Sequence, residues 1–168
     1  MVSFRTFLES QKDALDQLHQ QVPNFPPYVL QDMLLNQRAF GTDVVKAYEF
    51  LKEFAGWHGY QRVEDMIWKQ EKIHLDAGLK MFEPQSREMM ELWLGGAAHG
   101  ANKEEDAARH QWQMTNMQTP CAGSDEPVIV ARQSKGLFFI EGKHRIITGI
   151  KKCPQGFEQI AWVLQSKV

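Results

Sequence analysis

The hydrophobic period of this chain changes once, at "QTPCAGSDEP", residues 118–127. Before that stretch, apolar residues recur at the three- and four-residue spacing of amphipathic helices. Beyond it they alternate or run unbroken, as strands require. Six of its ten residues are turn formers or small polar residues, so it separates two regimes. A chain ordered this way is expected to be α+β: a helical region over 1–118, then a small β-containing core over 119–168, the two forming one compact unit. With 168 residues and 43% hydrophobic composition, it can bury a real core.

The helical expectations are specific. Phe4, Phe7, Leu8, Leu15, Leu18 and Val22 share a helical face after a Ser3 cap, and "VPNFPP" ends the pattern. A second helix starts at Pro26 and Pro27, where a missing N–H costs nothing, and runs toward Gly41. Thr42 or Asp43 caps a third, with Val44, Ala47, Tyr48, Leu51 and Phe54 on one face and Gly56 closing it. A fourth carries Val63, Met66, Ile67 and Ile73 and ends near Gly78; "SREMMELWLGG" gives a fifth and "NKEEDAARHQWQM" a sixth. "PVIVAR", "LFFIE" and "FEQIAWVLQ" read as strands, with "QSKG" turning the first into the second.

Charge and composition exclude several classes. Nineteen Lys and Arg against 21 Asp and Glu leave a formal charge of -2, so no global field draws the chain to nucleic acid or anionic lipid. No apolar run approaches a membrane span, and "MVSFRTFLES" lacks the apolar region of a signal peptide; a cytoplasmic location without membrane contact is expected. Cys121 and Cys153 lie in loop-like settings, and two cysteines are too few for a disulfide framework, so reduced thiols are expected. Cys153, beside Lys151 and Lys152, could then be a reactive thiol. Among His19, His58, His74, His99 and His110 no pair stands at i,i+4, and no Cys-x-x-Cys accompanies them, so no zinc site is expected.

Chemistry concentrates in "GLFFIEGKHRIITGIKK", residues 136–152. An apolar run ends at Glu141 and Gly142, and Lys143, His144 and Arg145 follow at once. Two conformations fit "HRIITGIKK". The β-branched residues favour a strand, and the basic residues would then line a solvated hairpin. Alternatively a helix begins at Gly142 or Lys143 and buries Ile146, Ile147 and Ile150. Free N–H groups and the positive end of the helix dipole would then meet beside the cationic side chains, and phosphate is the natural guest.

"EPVIVARQSKGLFFIEGKHRIITGIKK" resembles the core motif of the ParB/sulfiredoxin-like superfamily: a strand, a turn, a strand ending in an acidic residue and glycine, then "HR" opening a helix. The resemblance implies a helical N-terminal region packed on a small ParB/sulfiredoxin-like sheet, with one helix after the "GKHR" turn. It also implies ATP or CTP with Mg2+ as ligand, and phosphotransfer or nucleotide hydrolysis linked to DNA or nucleotide metabolism. By carry-over, Gly142 allows close approach, Lys143 and Arg145 hold phosphate oxygens, and His144 donates to phosphate or moves a proton. Glu141 sits near the metal or accepts a proton, with Asp125 and Glu126 the nearest further carboxylates. Lys143 stands where sulfiredoxin has its nucleophilic cysteine, so reductase activity is not expected. The "NPR"-type motif and helix-turn-helix of the partitioning proteins are not found.

Two other readings stay open. Met- and Trp-rich stretches such as "MIWKQEKIHLDAGLKMF" suit a non-enzymatic binder that grips a protein partner through the N-terminal helices, for example a phage-encoded modulator. The basic corner also suits a nucleic-acid backbone binder or nuclease. The five tryptophans are expected in the core or an interface rather than in a base-stacking platform.

Overall fold

Proline at a first helical position and aspartate at a cap do what their chemistry allows. The computed structural model describes residues 4–36, 43–78, 121, 123 and 125–168. Helix α1 spans Phe4–Gln21, α2 begins on Pro27 and is described to Asn36, and α3 spans Val44–Trp57. The Lys46 N–H donates to Asp43 Oδ1 at 3.1 Å, which satisfies one of the donors that a helix start leaves without an intrahelical partner. The described residues group into two compact units, Met1–Trp68 with Leu164–Val168, and Lys69–Val163.

In the first unit α1 packs against α2 and α3, burying Leu18, Val22, Leu30, Leu51 and Phe54. A 3-10 turn follows at Val63–Asp65. Asn24 ties the α1–α2 link to this turn, since its Nδ2 donates to Val63 O and Met66 O, each at 3.0 Å. Asn24→Ala leaves both part-buried carbonyls short of a donor and should cost about 1–2 kcal/mol in a urea titration. The closing residues join this unit: Gln165 N–H donates to Ile67 O and Lys167 N–H to His58 O, both at 2.9 Å.

The expected fourth helix is not formed. Val63 and Met66 are buried in and beside the 3-10 turn, and Trp68–Leu75 is strand β1. A helix through this stretch would present a full turn, Lys69, Gln70, Glu71 and Lys72, with no apolar residue. A strand needs only Ile73 and Leu75 on one face, alternating with exposed Lys72 and His74, and both are buried. The expected fifth and sixth helices, within residues 86–114, lie outside the described residues.

The second unit holds most of a four-stranded sheet. After β1 come β2 (Val128–Gln133), β3 (Gly136–Glu141), helix α4 (Lys143–Lys152) and β4 (Phe157–Gln165), in the spatial order β1-β4-β2-β3. Strands β2 and β3 form an antiparallel hairpin through Ser134 and Lys135, in the register Val130↔Phe139 and Arg132↔Leu137, with a shift between Ile129 and Val130. Since β4 lies on the far side of β2 from β3, the connection through α4 crosses over the sheet.

Helix formation at residues 143–152 resolves the two conformations left open by the sequence. Ile146, Ile147 and Ile150 are essentially fully buried against Val128, Val130, Phe139, Phe157 and Ala161. Burying each isoleucine contributes roughly 2–3 kcal/mol, more than the modest helix penalty of β-branching. Gly149 lets the helix approach closely, because a Cβ there would stand 2.3 Å from Phe157 Cζ. The coarse expectation of helices with a small sheet therefore holds.

Candidate anion-binding corner

The corner is built where β3 passes into α4. Glu141 closes the strand, partly buried, and Gly142 turns the chain with φ 94° and ψ 16°, a left-handed conformation that glycine adopts without penalty. Gly142 is buried, and a Cβ on it would stand 2.5 Å from Val128 Cγ1. The missing side chain thus makes room for the protein's own Val128.

The first backbone bond of α4 runs from Ile146 N–H to Gly142 O at 3.1 Å. The N–H groups of Lys143, His144 and Arg145 precede it, so they have no acceptor within the helix. Among the described residues no side chain caps this terminus. The helix dipole adds a partial positive charge at the same point, so the first turn favours an anion electrostatically. The side chains of Lys143 and His144 lie outside the described residues; their backbone places both residues in that first turn.

Arg145 turns toward the protein. Its Nη1 donates to Glu126 O at 2.6 Å and its Nη2 to Pro127 O at 3.1 Å, and Nη1 also lies 3.7 Å from Glu126 Oε2. Gln159, 3% exposed on β4, donates through Nε2 to the same Glu126 O at 3.1 Å and to Ile160 O at 3.0 Å. Arg145 and Gln159 thus brace the entry to β2 against the start of α4 and the middle of β4. Sequence reasoning gave Arg145 to phosphate oxygens and passed over Gln159. The available signal was its position: Phe157, Gln159, Ala161 and Val163 share one face of β4, and a polar residue among core positions marks a backbone group that needs a partner. Of the acidic candidates, Asp125 and Glu126 are both exposed, and Glu126 stands beside Arg145.

Among the described residues no group of three His, Cys, Asp or Glu side chains could hold a metal ion.

The expectation of reduced thiols is overturned. Cys121 and Cys153 are joined by a disulfide, with Cα atoms 5.3 Å apart, and Cys153 is therefore no reactive free thiol. Spacing along the chain concealed this because α4 carries Cys153 back across the sheet to the stretch that leads into β2. Cys153 is fully buried and caps α4 through its N–H to Gly149 O at 2.8 Å, whereas Cys121 is exposed.

In comparisons with known proteins, no family model, no curated protein and no solved structure matches this chain.

Proposed function

We propose that the chain binds the phosphate groups of a nucleotide, ATP or CTP with Mg2+, at the start of α4, and that its C-terminal core is ParB/sulfiredoxin-like. The observation that supports this most is the uncapped helix start directly after a left-handed glycine at a strand end, with a lysine and a histidine in the first turn. In this reading the N–H groups of the first turn hold phosphate oxygens, and Lys143 neutralises their charge. His144 or Glu141 moves a proton if phosphotransfer or hydrolysis follows. Arg145 acts one step back, holding the entry to β2 so that the turn keeps its shape.

Thermal shift with a panel of nucleoside triphosphates and magnesium tests the reading. At one hundred times its dissociation constant, the cognate nucleotide should raise the melting temperature by about 5–10 °C. The pair Lys143→Ala and His144→Ala together should abolish that rise, and Lys12→Ala on α1 should leave it intact. Arg145→Ala is the poorer probe, because it also removes the brace. A panel with no nucleotide that shifts the wild-type melt contradicts the proposal.

A second reading, a protein-binding module, draws support from Trp57, which is 59% exposed at the end of α3 and edge-on to Phe50 and Phe54. An exposed tryptophan on an aromatic base suits an interface better than a core. Trp57→Ala should then abolish capture of the partner while leaving the nucleotide response unchanged.

A further inference from the structure

The residues that lead into β2 are fastened along the whole length of α4. At the C-terminal end of the helix, Cys121 is bonded to its capping residue Cys153. Next, Gly123 lies so close to β4 that a Cβ on it would stand 2.0 Å from Glu158 O. At the N-terminal end, Arg145 holds Glu126 O and Pro127 O, and Gln159 shares Glu126 O. Only the first fastening is covalent, and it is the one that redox chemistry can open.

Access to the two sulfurs is unequal. Cys153 is 0% exposed and sits within the cluster formed by α4 and the sheet, while Cys121 is exposed and Gln155 Nε2 lies 3.7 Å from its sulfur. An incoming thiolate therefore reaches Cys121 Sγ and leaves Cys153 as the departing group.

We propose that the Cys121–Cys153 bond is a redox-operated fastening, opened in the folded protein by a dithiol, and that its opening loosens the hold of Arg145 and Gln159 on Glu126 and Pro127. One thiolate of the dithiol attacks Cys121 Sγ and forms a mixed disulfide. The Cys121–Cys153 bond breaks, and its electron pair leaves on Cys153 Sγ, which takes up a proton. The second thiol of the reagent then attacks the mixed disulfide, releasing Cys121 as a thiol and the reagent as its cyclic disulfide. Two electrons and two protons pass to the protein.

Opening one end matters at the other because the bond closes a loop through β2, β3 and α4. While closed, that loop keeps the Glu126 and Pro127 carbonyls at high local concentration beside Arg145 and Gln159. Once open, only noncovalent contacts hold the stretch, and segments held without a covalent tie open before the sheet does. The inference rests on this fastening geometry and holds whether or not an anion binds at α4.

The test uses the full chain, oxidised or treated with dithiothreitol without denaturant, together with Cys121→Ser, a substitution at an exposed position that creates no cavity. Alkylation followed by mass spectrometry reads the thiols, and hydrogen exchange reads the backbone. Expected is alkylation of both cysteines in protein whose α1 amides stay protected, with exchange at Val128 and Ile129, the first residues of β2, faster by about tenfold or more and restored on reoxidation. Untreated Cys121→Ser should match reduced wild type. A bond that resists dithiothreitol until the protein unfolds overturns the proposal. So does reduction that leaves exchange at Val128 and Ile129 unchanged, or that removes protection throughout the sheet. Because no ligand enters these readouts, failure of nucleotide binding leaves them unaffected.

Discussion

Gly142→Ala should lower the stability of the protein by about 3 kcal/mol, the largest effect expected of any single methyl group added at the corner. Two costs add. A non-glycine residue in the left-handed region costs roughly 1–2 kcal/mol, and Gly142 has φ 94°. Overpacking a filled core costs roughly 1–3 kcal/mol, and the new Cβ would stand 2.5 Å from Val128 Cγ1 and 2.9 Å from Val128 Cβ. Val128 is 0% exposed at the start of the interior strand β2 and cannot swing aside as a surface side chain would. The double variant with Val128→Ala removes the closer of the two contacts, to Cγ1, and keeps the one to Cβ. It should recover part of the steric share, after allowance for the cavity that Val128→Ala makes alone, and leave the rest together with the conformational share. A Gly142→Ala protein as stable as wild type in urea would mean that the turn does not have this geometry.

The second large effect is acid sensitivity centred on His58. This residue follows α3, is 2% exposed, and stacks edge-on to Phe54 with ring centroids 4.6 Å apart. Its Nδ1 lies 3.2 Å from Ser166 Oγ. Burial disfavours the charged imidazolium and lowers its pKa from 6.5 to about 4. The sign follows from where protons bind. Between pH 6.5 and 4 the unfolded chain takes up a proton at this histidine that the folded protein refuses, so acid favours unfolding. Stability from this group is intact above pH 6.5, is lower by about 2 kcal/mol at pH 5, and is lower by about 3 kcal/mol at pH 4, where the fall levels off. Urea titrations at pH 7 and pH 5 should show that difference, and His58→Leu should remove most of the slope whatever it does to stability at pH 7. Asp43 and Glu64, whose carboxyls are held below their ordinary values by hydrogen bonds from Lys46 N–H and, for Glu64, from its own N–H and Tyr48, act at lower pH. An unchanged slope in His58→Leu would contradict the assignment.

Local chemistry made much of this fold legible. Pro27 and Asp43 fix the starts of α2 and α3 because a missing N–H and a side-chain acceptor act on the nearest turn alone. The β2–β3 hairpin is readable from "QSKG" between two apolar runs. What the sequence concealed depends on partners distant along the chain. β1 carries only two buried apolar residues, Ile73 and Leu75, and its strand character comes from pairing with β4. The residues of α4 favour neither state decisively: three buried isoleucines suit either, and the left-handed Gly142 together with the crossover selects the helix. The candidate site was half legible. The glycine and the basic first turn were visible, but the sequence could not say that Arg145 faces Glu126 and Pro127, nor that Cys121 meets Cys153, because both facts depend on how α4 crosses the sheet.

The central claim is that the first turn of α4 binds phosphate through its backbone N–H groups. Nuclear magnetic resonance of the 15N-labelled protein, titrated with inorganic phosphate and then with ATP or CTP and magnesium, tests it most directly. Expected are saturable downfield shifts of the Lys143, His144 and Arg145 amide protons, larger for one nucleotide than for phosphate, with the α1 amides unmoved. Amides in that turn that stay fixed throughout the titration, or that move no more than those of α1, would contradict it.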